Sequence, residues 1–164
     1  MFNIFGFYKF KKLNNLKKLK NRLENNLKDY EIRGTIIISP EGVNGTISDK
    51  KNNLLKFNKL LKKILSIKKF NSENNSNSKF NPFHKLKIKI KKEVVPMGFK
   101  VRNYNFPKNN LNPREWNKII KKKDTVLIDA RKSFEYDVGT FKKSLNPNIE
   151  NFREFPKYLN QFKN

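Results

Sequence analysis

The sequence is poor in the residues that build most metal and redox sites. It contains no cysteine, which excludes a thiol nucleophile, disulfides and Cys-ligated zinc from the chain as given. It contains one histidine, His84, which excludes a metal site built from several histidines. We therefore expect no bound metal and no bound cofactor.

Long apolar runs are also missing. No segment approaches the roughly 18 consecutive apolar residues that span a bilayer, so we expect no membrane association. The first ten residues, MFNIFGFYKF, are too interrupted for a signal peptide, and no small-residue cleavage site follows them. We therefore expect a soluble cytoplasmic protein, and 164 residues suffice for one ordinary domain or two small ones.

Acidic residues are scarce relative to basic ones. The chain has 38 Lys and Arg against 14 Asp and Glu, which gives a net charge of +24. Such an excess favours a polyanionic partner, and RNA or DNA fits best. Lys, Asn, Ile and Phe are also the residues toward which an A+T-rich genome drifts, so mutational bias is an alternative source of part of this charge.

The first 96 residues alternate between strand and helix patterns. The predicted elements are, in order, a strand at Asn3–Phe10, a helix on Leu13–Leu27, a strand at Glu31–Ser39, the turn PEGVNG, a short strand at Gly45–Ser48, a helix capped by Asp49 with apolar positions Leu54–Ile64, a flexible loop at Asn71–Ser78, and a strand from Leu86 to Val95. This β-α-β-β-α-β order predicts a ferredoxin-like α+β domain, with two helices on one face of an antiparallel sheet.

Two groups in this domain have two interpretations each. Lys87, Lys89 and Lys91 alternate with apolar residues, so they form either a phosphate-contacting stripe or a solvated face that discourages edge pairing. Glu41 and Asn44 in PEGVNG either stabilise an Asx-type turn or form part of a site.

The rest of the chain begins as a linker and continues as a second α/β unit. Residues 97–111 have little periodicity and read as the linker, and residues 112–164 form the second domain. Asn112, Pro113 and Glu115 predict a capped helix, with Trp116, Ile119 and Ile120 on its buried face. A strand at Thr125–Asp129, a helical turn at Ser133–Asp137 and a helix over Phe152–Phe162 follow. Asp129 and Arg131, after the strand, are either a site or a pair that braces the loop.

Four segments resemble the bacterial rhodanese-domain tRNA uridine hydroxylases. They are Phe7-Tyr8-Lys9-Phe10; Gly34-Thr35 with Glu41-Gly42-Val43-Asn44-Gly45-Thr46-Ile47-Ser48; Lys92-Glu93-Val94-Val95 with Gly98; and Glu115-Trp116-Asn117 with Leu127-Ile128-Asp129-Ala130-Arg131, Tyr136, Gly139-Thr140-Phe141, Asn146-Pro147 and Phe152-Arg153-Glu154-Phe155-Pro156. Each is moderately specific alone, but their order and spacing match the family over nearly the whole chain.

The resemblance implies an acylphosphatase-like domain followed by the first part of a rhodanese-like domain. It implies hydroxylation of the tRNA wobble uridine to 5-hydroxyuridine with molecular oxygen and an unidentified reductant, through a cysteine in the rhodanese loop. In this interpretation Asp129, Arg131, Glu135 and Gly139 are scaffold residues of that domain. The tRNA contacts are expected from Arg33, Lys87, Lys89 and Lys91.

The chain departs from the family most clearly by lacking that cysteine. It stops before the expected loop, so we expect the polypeptide alone to be inactive and the second domain to be incomplete and more labile than the first. Ala130, Lys132 and the pair Lys143-Ser144 also stand where the family favours other residues. Three hypotheses remain: an N-terminal piece of a hydroxylase, completed by a downstream segment or separate polypeptide; a non-catalytic RNA-binding module; and a decayed remnant.

Overall fold

The computed structural model describes residues 1–96, 98 and 111–162, and it divides the chain into two compact units. Unit 1 comprises Met1–Val95 and unit 2 comprises Pro96–Asn164. The predicted linker, residues 97–111, lies outside the described residues except for Gly98 and Leu111. None of the helices in the described ranges is long and apolar enough to cross a membrane.

Unit 1 is a five-stranded sheet with two helices. The strands are β1 (Phe2–Phe10), β2 (Arg33–Ser39), β3 (Gly42–Asp49), β4 (Ser72–Ser78) and β5 (Leu86–Ile90), and the helices are α1 (Leu16–Leu27) and α2 (Lys51–Leu65). The spatial order is β4-β1-β3-β2-β5. Neighbouring strands are antiparallel except β2 and β5, which are parallel. The prediction of a fully antiparallel sheet is therefore wrong for the β2–β5 pair, and the sheet is mixed.

The core of unit 1 lies between one face of the sheet and both helices. Register places the buried side chains of the central strands on that face, where they meet the apolar stripes of α1 and α2. The most deeply buried are Leu23, Leu27, Ile36, Ile38, Val43, Ile47, Phe57 and Leu61. Each such side chain contributes about 1.5–3 kcal/mol through the water it excludes. The predicted placement of both helices on one face is confirmed.

The Asn/Ser-rich tract predicted as a flexible loop is strand β4. Its side chains are polar and mostly exposed, and its pairing comes from the backbone, with Phe2–Tyr8 opposite Ser72–Ser78. Unit 1 therefore contains one strand more than predicted, and β4 is the additional strand, at the edge of the sheet opposite β5. The predicted strand β5 ends at Ile90 and does not continue to Val95.

The segment PEGVNG is also different from its prediction. Only Pro40 and Glu41 form the turn, because β3 already begins at Gly42. Gly42 has a positive φ of 148°, whereas Gly45 does not have a positive φ. Gly45 is required for space, since a Cβ there would lie 2.7 Å from the Phe7 ring. Asp49 does not cap α2, whose N-cap is Lys50; its carboxylate accepts hydrogen bonds from the Lys50 N–H and the Asn53 side chain.

Unit 2 is built from short elements. Its described helices are α3 (Pro113–Ile119), α4 (Ser133–Val138) and α5 (Phe155–Leu159), with 3₁₀ turns at Phe152–Glu154 and Asn160–Phe162 on either side of α5. The capping box of Asn112 and Glu115 is confirmed. The strand predicted at Thr125–Asp129 is reduced to one parallel bridge, between Ile128 and Leu145. The predicted buried face of α3 is only half-buried.

Candidate nucleic-acid interface and the Asp129 cluster

The sheet of unit 1 has a second face, opposite the helices, which we call the open face. Side chains alternate along a strand, so the residues between the core positions point to this face. They are Ile4, Gly6 and Tyr8 of β1, Arg33, Thr35 and Ile37 of β2, Asn44, Thr46 and Ser48 of β3, Ser72, Asn74 and Ser76 of β4, and Lys87 and Lys89 of β5.

Strand register aligns these residues in rows across the sheet. One row runs Ser72, Tyr8, Asn44, Ile37 and Lys89 from β4 to β5. The next runs Asn74, Gly6, Thr46, Thr35 and Lys87. Five strands spaced by about 4.8 Å make each row ~19 Å long. Each row therefore has amide and hydroxyl groups in the middle and a cation at the β5 end.

Three of the four predicted tRNA-contact residues share this face. Arg33, Lys87 and Lys89 are exposed, and none of them takes part in an ion pair among the described residues. No strand position on the open face is acidic. Lys91 follows the end of β5; its N–H donates to the Ile38 carbonyl and its side chain is exposed. These charges are available to a polyanion.

An aromatic residue lies toward the other end of the face. The Tyr8 side chain is 38% exposed, and its ring meets the Phe10 ring edge-on at 5.8 Å. Tyr8 and Thr46 stand in segments that carry the family resemblance, but the sequence did not predict either of them as a contact residue. The signal that identifies them is strand register, which period-two alternation alone does not supply.

The structure separates Glu41 from Asn44. Glu41 is buried in the turn, where its carboxylate accepts a hydrogen bond from the Val94 N–H at 3.3 Å and its carbonyl accepts one from the Lys11 N–H. Asn44 lies on the open face, two residues into β3. Glu41 therefore ties the β2–β3 turn to the segment after β5, and the two residues do not form one site.

Asp129 and Arg131 form a closed cluster in unit 2. The Asp129 carboxylate accepts hydrogen bonds from Arg131 Nε at 2.9 Å, from Arg131 Nη2 at 2.5 Å and from the Thr140 hydroxyl at 2.8 Å. Arg131 Nη2 also donates to the Gly139 carbonyl at 2.6 Å. The Arg131 guanidinium holds the pKa of Asp129 well below its usual range. These contacts join the loop after Asp129 to the end of α4, as the bracing interpretation expects.

Neighbouring residues extend the cluster. The Glu135 carboxylate accepts from the Lys132 N–H, which starts α4, and Tyr136 donates its hydroxyl to the Ser144 carbonyl. The Thr140 and Ser144 hydroxyls lie 2.6 Å apart. Thr140 and Ser144 were not predicted to join Asp129, although both stand in the segments that carry the family resemblance or depart from it.

A cavity of about 580 Å³ adjoins this cluster. Trp116, Leu127 and Phe141 line it together with Asp129 and Arg131. The Trp116 indole nitrogen is buried and has no hydrogen-bond partner among the described residues. Within the described ranges, no group of three or more His, Asp or Glu side chains is placed to hold a metal ion.

Comparison with known proteins agrees with the resemblance in the sequence. The tRNA uridine(34) hydroxylase of Pelagibacter ubique is 60% identical over 99% of this chain, and that of Legionella pneumophila (strain Corby) is 37% identical over 95%. The chain spans only 54% and 61% of the lengths of these two relatives.

Similarity to solved structures is low. The structure titled BlrP1 BLUF covers 57% of this chain and 66% of its own, with a TM-score of 0.42 and 13% identity. That likeness supports no inference. Residues 2–94, in contrast, match the family described as the UPF0176 acylphosphatase like domain. The chain therefore belongs to this family, and the resemblance to the tRNA uridine hydroxylases is confirmed.

Proposed function

We propose that this chain supplies the tRNA-binding, N-terminal part of a tRNA uridine(34) hydroxylase. The observation that carries the proposal is the 60% identity, over 99% of the chain, to the Pelagibacter ubique protein of that name. The exposed cations of the open face support it, because exposed Lys and Arg side chains bind the phosphates of RNA.

The proposed reaction replaces the C5–H of the wobble uridine with C5–OH. One atom of molecular oxygen enters the product and the other leaves as water, so a reductant must supply two electrons and two protons. No residue of this chain is assigned to that chemistry, because the family's cysteine has no counterpart in the sequence. A second polypeptide or segment carrying the cysteine loop is therefore part of the proposal.

Unit 2 is proposed to be the first part of a rhodanese-like domain. Its parallel bridge between Ile128 and Leu145 supports this assignment, since rhodanese-like domains are built on parallel sheets. Asp129, Arg131, Glu135 and Gly139 would be its scaffold. The hydrogen bonds of Arg131 to Asp129 and to the Gly139 carbonyl, and of the Gly139 N–H to the Glu135 carbonyl, support this assignment.

The experiment is reconstitution. The chain is expressed in cells that lack 5-hydroxyuridine in their tRNA, alone or together with the remaining part of the Pelagibacter ubique relative. We expect 5-hydroxyuridine at position 34, detected by mass spectrometry of purified tRNA, only when both are present. The remaining part alone is the control.

A second candidate is a non-catalytic RNA-binding module, which the absence of cysteine favours. It predicts that the chain binds tRNA. It also predicts no 5-hydroxyuridine, whether the chain is expressed alone or together with the remaining part of the Pelagibacter ubique relative. Formation of 5-hydroxyuridine by the chain alone would contradict both candidates, because it would require a catalyst other than the cysteine.

A further inference from the structure

The open face combines three kinds of group whose arrangement is not explained by phosphate binding alone. Tyr8 lies on β1, Asn44 and Thr46 lie on β3, and Lys87 and Lys89 lie on β5. Three strand spacings separate the Tyr8 and Lys89 backbones, a distance of ~14 Å. A surface evolved only for charge would not need the aromatic ring or the amide.

An exposed aromatic ring on a sheet offers a face on which a nucleobase can stack. The Phe10 ring contacts Tyr8 edge-on, which limits how far the Tyr8 ring can turn. Asn44 stands directly opposite Tyr8 in the register, and Asn74 and Thr46 stand opposite Gly6 in the next row. Their amide and hydroxyl groups can donate to and accept from base edges beside a stacked base.

These groups fit unpaired RNA better than a duplex. In double-stranded RNA the base faces are already stacked, so a protein contacts phosphates and 2′-hydroxyls instead. An unpaired segment exposes base faces to Tyr8 while its phosphates lie toward the cations. A sheet of this width accommodates about two or three bases.

We propose that the open face binds an unpaired RNA segment, with a base stacked on Tyr8, base edges at Asn44 and Thr46, and phosphates at Arg33, Lys87 and Lys89. This inference rests on the proposed function for the identity of the polymer, and it adds which part of an RNA is bound and by which contacts. In a tRNA, loops are the segments that meet this requirement.

The test is binding of two fluorescent probes to the full-length chain, a short oligouridine and a fully paired RNA duplex of equal length. We expect Tyr8→Ala to weaken oligouridine binding about 5- to 100-fold and to leave duplex binding unchanged. Tyr8→Phe keeps the ring and should restore binding. Phe134→Ala, which removes an exposed aromatic ring of unit 2, is the matched control.

A second set of variants tests the proposed phosphate contacts. The double substitution Lys87→Gln/Lys89→Gln should weaken both probes and lower the salt dependence of oligouridine binding, by a slope of about 0.7 per lost contact. Lys17→Gln/Lys18→Gln makes the same charge change on exposed positions of α1 and should alter binding less.

The outcomes separate the inference from the function on which it rests. If RNA binds but Tyr8→Ala has no effect, or if the duplex binds as tightly as the oligouridine, the stacking inference is wrong while tRNA binding stands. If neither probe nor intact tRNA binds, both are wrong. Circular dichroism of each variant confirms that it is folded before binding is compared.

Discussion

At the scale of single residues, the contacts of Asp129 indicate its role. Its carboxylate accepts from Arg131, from the Thr140 hydroxyl and from the Arg131 backbone N–H at 3.2 Å. The hydrogen bonds from Arg131 are the largest cause of its lowered pKa, and partial desolvation opposes them. A carboxylate committed to so many donors is held ionised and in place, which is the property of a structural brace.

This arrangement predicts a specific pH dependence. A carboxyl group whose pKa is lowered by folding stabilises the fold above its unfolded pKa, and this stabilisation is lost as the pH falls toward the folded value. Arg131→Ala should therefore raise the pKa of Asp129 toward the ordinary 3.8. The stability difference between wild type and Arg131→Ala should be largest near neutral pH and shrink below about pH 4.

The measurement is an NMR titration of the Asp129 carboxyl carbon, with denaturation of both proteins at neutral and acidic pH. Lys142→Ala, which removes an exposed cation nearby in sequence, is the control and should leave the Asp129 titration unchanged. Titration of Asp129 at the same pH in wild type and Arg131→Ala would contradict the assignment.

At the scale of elements, the sequence predicted the features that neighbouring residues determine, and it missed those that depend on distant strands. The α3 start was predictable because Asn112, Pro113 and Glu115 satisfy the helix terminus by themselves, and the structure contains that capping box. Strand β4 was not predictable, because its Asn and Ser residues have low strand propensity and it exists through backbone pairing with β1. The alternation of Lys87 and Lys89 with apolar residues is visible in the sequence. Their position on the same face as Tyr8 follows only from the strand order and register of the sheet.

The hairpin between β2 and β3 makes a sharp prediction. Gly42 has φ 148°, and a Cβ there would collide with the Lys9 carbonyl oxygen and approach the Phe10 Cα to 3.0 Å. Gly42→Ala must therefore either strain the turn or push β1 away from β3 at the Phe10–Gly42 pair. We expect a loss of more than about 2 kcal/mol in the free energy of unfolding.

Gly6→Ala is the matched control for the same chemical change. A Cβ at Gly6 would have its nearest neighbours at 3.8 Å, which is ordinary contact, and φ there is not positive. Its effect should stay within about 1 kcal/mol and can be stabilising, because Ala restricts the unfolded chain more than Gly does. Urea denaturation of both variants measures the difference, and equal effects would show that the hairpin does not require glycine.

At the scale of the whole chain, apolar burial is uneven. Among the residues that the structure describes, those of the hydrophobic core cluster all belong to unit 1, from Phe5 to Ile88. In unit 2, the described helices have seven residues or fewer, and Phe134, Val138 and Phe141 are each more than half exposed. Short helices are marginal without tertiary packing, so the two units should differ in local stability.

We expect this difference to appear in amide hydrogen exchange of the isolated chain. Amides of β1, β2 and β3 should exchange slowest, because they lie in the interior of the sheet over the core. The N–H groups of Asp129 and Leu145 are hydrogen-bonded through the isolated bridge between Ile128 and Leu145, outside any described strand, so they should exchange much faster. If the proposed cysteine-bearing partner completes unit 2, adding it should slow exchange at these two amides and leave β1 unchanged. Equal protection of both units in the isolated chain would contradict the prediction and would show that unit 2 is stable without a partner.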